Sequence, residues 1–383
     1  KFFMKKSKSN IKIPLFSPSI TSEDKKSIES ILNNQILTGG PTLEKFEKMF
    51  AKFTNAKYAI GVSNATSALF LSLKSIGIKK DDEVIIPDMT FVATANAVIH
   101  AGGKPVLIDV NLDDMNISIE EIKKAITKKT KAILPVHFAG KACNMEKIKK
   151  IAKEKNLFLI EDCAHAIGTS INKKHVGTFG EAGCFSFYPT KNITTIEGGM
   201  VITNSKKIAE KIKNYRNHGI TKTLSQRYNL GKPWEYDVVE PGYNFRLDEI
   251  RSSLGISQLK RIKKMNGRRE SVFNYYNKNL SKIKGVEIPI KANGIDSHHL
   301  YIIRIKKNYS LSRDELFKKL SKGGISTTLH YKPLHLFSAY KKYRKTNLKN
   351  SIQIFNEILS LPFFPDITKN QQNKVIKSIS KLS

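Results

Sequence analysis

From about residue 56 onward, short apolar runs alternate with longer amphipathic stretches. Tyr58–Val62, Glu83–Pro87, Pro105–Val110, Ala132–Val136 and Leu157–Ile160 are short, continuous and rich in branched side chains, so they read as buried strands. Between them, Thr66–Ile76, Phe91–Ala101, Ile119–Ile126 and Met145–Lys155 carry helical spacing. Strands alternating with helices predict an α/β fold with a mostly parallel sheet covered on both faces. Gly183–Phe187 and Gly199–Thr203 extend that sheet. The pattern changes near Leu247: a helical stretch runs to about Leu280, a strand follows at His299–Ile305, then a helix at Arg313–Ser321 and more helix toward the C-terminus. The expected organisation is a large domain over residues 1–247, opening with an arm and helix over 1–30, and a smaller α+β domain over 248–383. The polar stretch Thr221–Val239, with Gly231 and Pro233, reads as a long loop of the kind that often covers a site.

Composition adjusts this picture in a few places. A chain of 383 residues exceeds the usual single core, which agrees with two lobes. It contains no apolar run of about 18 residues, so no membrane partner is expected. The opening KFFMKKSKSN is too polar for a secretory signal, and Met4 is a candidate natural start. Cys143, Cys163 and Cys184 lack metal-ligand spacing, and an odd count argues against a disulfide framework; a cytoplasmic location and no metal are expected. The net charge of +33 would ordinarily point to nucleic acid. Here the lysines are spread along the chain and no nucleic-acid motif stands out, so no such partner is expected. The basic field would still attract phosphorylated small molecules. The first arginine is Arg216, so any earlier anion site must be built from lysine, hydroxyls or backbone N–H groups.

Ligands of α/β sheets sit beyond the carboxyl ends of the strands, and three polar groups fall there. Gly61-Val-Ser-Asn-Ala-Thr-Ser67 joins a strand to a helix and could bind an anion through N–H groups and the helix dipole; ordinary capping by Ser63 or Thr66 explains it equally well. Asp162 ends an apolar strand in IEDCAH, where a buried carboxylate needs a cationic partner, such as a protonated pyridine nitrogen, or else caps the next helix. Lys191, in SFYPTKN, follows another strand; held in a partly dry pocket it would become a nucleophile toward aldehydes, although a solvated lysine is the default for any one lysine of this chain.

In combination and in this order, these groups point further. SFYPTKNITTIEGG, EDCAHAIGT, GVSNATSAL, PDMTFVATANAV and GYNFRLDEIRSSLGISQLKRI resemble the DegT/DnrJ/EryC1/StrS family of sugar aminotransferases, over roughly Ile13 to Pro365. The resemblance implies a fold-type I transferase dependent on pyridoxal 5'-phosphate (PLP), with a mostly parallel sheet of the seven-stranded type. It implies that Lys191 links to the cofactor, that Asp162 pairs with its pyridine nitrogen and that His165 lies near its phenolic oxygen. Phe91 would stack on the ring. Ala65, Thr66 and Ser186 would hold the phosphate, joined by Asn244 from a second subunit, which makes the expected assembly a homodimer with shared sites. Thr38 and Gly39 of ILTGG, with His330 and Tyr331 of LHYKP, resemble substrate-side elements; His218 and Trp234 are weaker candidates.

The implied reaction moves an amino group from an amino-acid donor, by resemblance L-glutamate, to a 4-keto-6-deoxy nucleotide sugar. Relatives with histidine in place of the lysine are dehydratases, so Lys191 favours amino transfer. The subgroup most alike acts at C4 of UDP-linked N-acetylhexosamines on the way to surface glycans; 3-amino, GDP-perosamine-type and cyclitol aminotransferases share the same core words. A PLP-dependent desulfurase would want a reactive cysteine on a flexible loop, and the surroundings of Cys143 show no such signature. A non-catalytic regulator binding PLP or nucleic acid is the alternative from a different class.

Overall fold

The computed structural model describes residues 12–34, 36–222, 231–232, 234–289, 294–344 and 346–383. The N-terminal arm through residue 11, with Met4, and residues 223–230 and 233 of the long polar loop lie outside them.

The larger sheet takes its strands from the alternating half of the chain. They are β1 (Tyr58–Val62), β2 (Glu83–Pro87), β3 (Lys104–Ile108), β4 (Thr130–Ile133), β5 (Phe158–Asp162), β8 (Ala182–Ser186) and β9 (Gly199–Thr203), with a small hairpin of β6 (Ser170–Ile171) and β7 (Lys174–His175) between β5 and β8. The seven strands lie in the order β1-β9-β8-β5-β4-β2-β3. Strand β9 runs antiparallel to both its neighbours, and the other pairings are parallel.

Both faces are apolar and both are covered. Val84 and Ile86 of β2 and Ile160 of β5 pack with Leu69, Leu71 and Leu73 of α3 (Ala65–Ser75) and Val98 of α4 (Val92–His100). Ile85 and Leu159, one residue out of phase, meet Ile122 of α5 (Ile119–Ala125) and Ile148 of α6 (Met145–Glu154) on the other side. Strand β3 stops at Ile108, short of the expected Val110. The next residue, Asp109, turns its carboxylate to accept from the N–H groups of Asn350 and Ser351 at the start of α11 (Lys349–Glu357).

Two helices precede the sheet, α1 (Ser22–Leu32) and α2 (Pro41–Thr54), and α7 (Lys206–Arg216) follows it. The helical stretch from Leu247 to Leu280 is two helices, α8 (Glu249–Lys260) and α9 (Ile262–Leu280), broken at Arg261. Helix α8 packs on α1 and α2. At the break the Arg261 guanidinium reaches the buried Asp24 at 2.6 Å, and Gln258 donates to the same oxygen at 2.9 Å. That pairing fixes α8 against α1 while α9 departs toward the smaller sheet. Glu249, at the first turn of α8, is buried and accepts from the N–H groups of Gly40, Thr42 and Leu43, capping α2 in place of a local side chain.

The smaller sheet orders β10 (Val286–Glu287), β11 (Tyr301–Ile305) and β12 (Ile358–Leu361) antiparallel. Its core joins Tyr301, Ile303 and Leu359 to Tyr276 of α9, Leu316 of α10 (Arg313–Lys322) and Val375 of α12 (Lys369–Ser380).

Candidate active site

Register places the candidate residues along one edge of the large sheet. Val62 and Ser186 both pair with Gly199, and Asp162 pairs with Cys184 two residues before Ser186. The carboxyl ends of β1, β8 and β5 therefore share an edge with the amino end of β9. The segments leaving that edge carry the N-terminus of α3, the Lys191 loop, and the Asp162–His165 turn.

Helix α3 is capped by Asn64, whose side-chain oxygen accepts from the Ser67 N–H at 2.8 Å; neither Ser63 nor Thr66 is the cap. The cap leaves Ala65 and Thr66 as the first two helical residues, whose N–H groups have no acceptor within the helix and stand at its positive end. A Cβ on Gly199 would lie 2.5 Å from the Asn64 carbonyl carbon, so glycine lets β9 approach this turn. Ser186 ends β8 with its side chain buried and its hydroxyl 3.4 Å from the Tyr188 N–H. These groups can cradle an anion without arginine.

Asp162 is 5% exposed. One carboxylate oxygen accepts from Thr94 Oγ1 at 2.9 Å and the other from the Ala164 N–H at 3.1 Å. Burial pushes its pKa above the ordinary carboxylate value in spite of those bonds and of the Lys191 charge. Two neutral donors do not balance a buried anion, so a cationic ring nitrogen fits this position.

Lys191 is half-buried, on a turn closed by its own N–H to the Tyr188 carbonyl at 2.9 Å. Burial lowers its pKa from 10.5 to about 8, with the Asp162 carboxylate opposing. The buried Asn192 anchors the turn, donating to Asn266 Oδ1 at 2.8 Å and to the Ser297 carbonyl at 2.6 Å, while its own oxygen meets His299 Nδ1 at 3.1 Å.

The rings gather above. His165 bonds the Tyr331 hydroxyl through Nε2 at 3.0 Å and lies 4.3 Å from the His299 ring; its buried Nδ1 has no partner among the described residues. Burial, with the Lys191 and His330 charges, pushes the His165 imidazole well below its ordinary pKa, so it is neutral at pH 7. Burial, with the Lys191 charge adding to it, lowers His330 to about 4. Burial raises the Tyr331 phenol, which stays protonated. Phe91, N-cap of α4, is 56% exposed, with its ring 5.9 Å from that of Tyr331. An open aromatic face, an unpartnered imidazole nitrogen, a buried carboxylate and an amine thus converge on one space.

The structure brings Lys191, Asp162, His165, Phe91, His330 and Tyr331 together. Asn244 lies on the segment that borders the α3 turn, and Thr38, with Gly39 next to it, pairs with that segment farther along, at Asp248. The Ser63 N–H donates to the Phe245 carbonyl, Val62 bridges Arg246, and Thr38 bridges Asp248. Asn244 is exposed and bridges Asn217. His218 is exposed, and Trp234 is 74% exposed on the part of the loop that is described. Thr94, Asn192 and His299 are site residues that sequence reading passed over. Thr94 stands in the first turn of α4, where its hydroxyl also meets that of Thr90, just before the helix, at 2.8 Å.

His137, Glu161 and Cys163 bring possible metal-ligand atoms within 4.8 Å of one another. Their bonding is directed elsewhere: Glu161 accepts from the N–H groups of Gly177, Phe179 and Gly180 and pairs with His137 Nε2, and His137 Nδ1 accepts from the Cys143 N–H. The group is a structural brace beneath Asp162.

Comparison with known proteins agrees with this geometry. The model of the DegT/DnrJ/EryC1/StrS aminotransferase family matches residues 18–380. The spore coat polysaccharide biosynthesis protein SpsC of Bacillus subtilis is 36% identical over 378 residues, 97% of each chain. Among solved structures, Helicobacter pylori PseC, an aminotransferase involved in the biosynthesis of pseudoaminic acid, superposes with a TM-score of 0.91 at 31% identity, covering 97% of this chain and 98% of that one. The PMP form of the putative sugar aminotransferase Spr1654 from Streptococcus pneumoniae gives a TM-score of 0.91 at 28% identity, with the same coverage. The chain belongs to the DegT/DnrJ/EryC1/StrS aminotransferase family, with the fold of type I PLP-dependent enzymes and a dependence on pyridoxal phosphate.

Proposed function

We propose that this protein transfers an amino group from L-glutamate to C4 of a UDP-linked 4-keto-6-deoxy-N-acetylhexosamine, in the cytoplasm, for surface glycan synthesis. The observation that carries amino transfer is Lys191: a half-buried amine whose pKa is lowered to about 8, coupled to the buried Asp162 carboxylate. The PseC and SpsC descriptions support the choice of sugar and pathway class.

The residues divide the work as follows. The Ala65 and Thr66 N–H groups and the Ser186 hydroxyl hold the cofactor phosphate, joined by Asn244 of a second subunit in a homodimer. Phe91 would cover one face of the ring, and His165 would stand near the phenolic oxygen. The Asp162 carboxylate would keep a proton on the ring nitrogen. Pyridoxal phosphate, when bound, supplies an aldehyde that carries the amino group and a ring that draws electrons from it. Lys191 Nζ would be the amine that holds that aldehyde. As a free amine it would be the base that accepts the donor carbon's proton and, as the ammonium, the acid that supplies the proton at the sugar carbon. Thr38, Gly39, His330 and Tyr331 border the substrate; among these, Tyr331 is already bonded to His165.

The test is a panel of UDP-, dTDP- and GDP-linked 4-keto sugars with glutamate, with the product identified by NMR. Amination of the UDP-linked N-acetyl sugar at C4 is expected. Preference for a GDP sugar or a 3-keto position would move the protein to a neighbouring branch, and transfer to none of them would point to cyclitols.

A further inference from the structure

The segment 330–335 carries Tyr331 to the site, and the two ends of that segment are tied to different sheets. At one end, His330 Nδ1 meets Ser360 Oγ of β12 at 2.8 Å. At the other end everything converges on Asp88, the residue after β2, which is fully buried. Its carbonyl accepts from the Leu334 N–H at 2.9 Å. One carboxylate oxygen accepts from the His335 N–H at 2.9 Å, and the other meets His335 Nδ1 at 2.7 Å. Leu334 itself is buried in the core of the large sheet. Asp88 is also held by its own N–H to the Ile108 carbonyl of β3, so it moves only with that sheet.

Between the two anchors, the Tyr331 hydroxyl meets His165 Nε2. Phe91, three residues after Asp88, meets the Tyr331 ring. We propose that Asp88 and His335 form a latch that positions Tyr331 and His330 over the catalytic edge for the sugar-accepting half of the reaction. Both side chains are buried and spend their bonds on each other, so both are positioning residues. The assignment to the sugar half rests on the function proposed above; the latch itself does not.

The charge-assisted bonds explain why an imidazole and a carboxylate are used. A buried carboxylate that loses one donor is left with its desolvation uncompensated, so the closed arrangement is strongly preferred over a partly open one. Asp88→Asn keeps the shape and one acceptor oxygen while removing the charge. His335→Asn can present an N–H where Nδ1 stood, whereas His335→Ala cannot.

Two measurements test the latch. In the cofactor-free protein, backbone hydrogen exchange over residues 330–336 is expected to rise in Asp88→Asn and His335→Ala and to stay near the parent level in His335→Asn. In the loaded enzyme, the glutamate half-reaction, read from cofactor absorbance, is expected to change less than about twofold. kcat/KM for the keto sugar is expected to fall by about 10- to 100-fold, the scale of small misplacements in preorganised sites, with partial recovery in His335→Asn. Unchanged exchange in both disruptive variants overturns the latch. A proportional loss of both half-reactions also overturns it, because that marks a residue that merely holds the fold. If the parent aminates no keto sugar, the substrate assignment fails, and the exchange measurement still decides the latch.

Discussion

Lys191 is surrounded by more than its own sequence neighbourhood could convey. Its amine is lowered because the site is dry, and raised only in part by Asp162. The rate at which cofactor-free protein forms an adduct with pyridoxal phosphate should therefore climb through about pH 8 and level off above it, well below the 10.5 of an ordinary lysine. A climb centred near 10 would mean a solvated amine. The same shift bears on stability. Below about pH 8 the lysine is protonated in both folded and unfolded chains, and its burial cost is fully felt. Between about 8 and 10.5 the folded chain has lost the proton and the unfolded chain has not, so stability rises with pH. Denaturant titrations of the parent and Lys191→Ala should show the parent gaining on the variant across that window. Lys191→Ala should also lose the cofactor's protein-linked absorbance and turnover; normal turnover in that variant would end the assignment. Lys191 and Asp162 were legible because each sits in a run of consecutive family words. Thr94 was not, since its bond to Asp162 joins two segments far apart in the chain.

At the scale of elements, the large sheet was legible almost strand for strand, because strands buried on both faces leave continuous apolar runs. Where the reading slipped, a remote side chain had taken over a local role. The 247–280 stretch reads as one helix, since neither glycine nor proline marks the break. It divides at Arg261, whose side chain pairs with Asp24 on another helix. Helix α2 lacks a capping side chain of its own and borrows Glu249. Glu249→Ala should strand three N–H groups at a buried helix end and cost about 2–3 kcal/mol of stability, measurable by denaturant unfolding of the cofactor-free protein. A loss below a few tenths would show that water replaces the carboxylate at no cost.

For the whole molecule, the assembly proposed above has a second chain finish the site. Asn244 is exposed here, on the segment that borders the α3 turn, and Ile36, Leu37, Ile196, Val238 and Val239 are exposed apolar side chains. If Asn244 serves a neighbour's phosphate, inactive Lys191→Ala and weakened Asn244→Ala chains should complement each other. Each mixed dimer then holds one site with both residues intact, so random reassortment of equal amounts should restore about a quarter of parent turnover. No recovery beyond the Asn244→Ala contribution would confine each site to one chain. Two lobes were expected from length and from the change of pattern after Leu247; how the later part of the chain returns to the large sheet was invisible, because it depends on pairs such as Asp88 with His335.

The one antiparallel strand of the large sheet, β9, has a consequence in time. It pairs Thr203 with Tyr58 and so closes β1, the first strand of that sheet, onto the last. A growing chain emerging from the ribosome carries the Asn64-capped turn of α3 early and Lys191 much later. The two remain strangers until β9 slots between β1 and β8. Non-local pairing of this kind is slow to form. Tight capture of the cofactor thus becomes a marker that the sheet has closed, and a chain halted before residue 199 would hold the halves of a site without the strand that joins them.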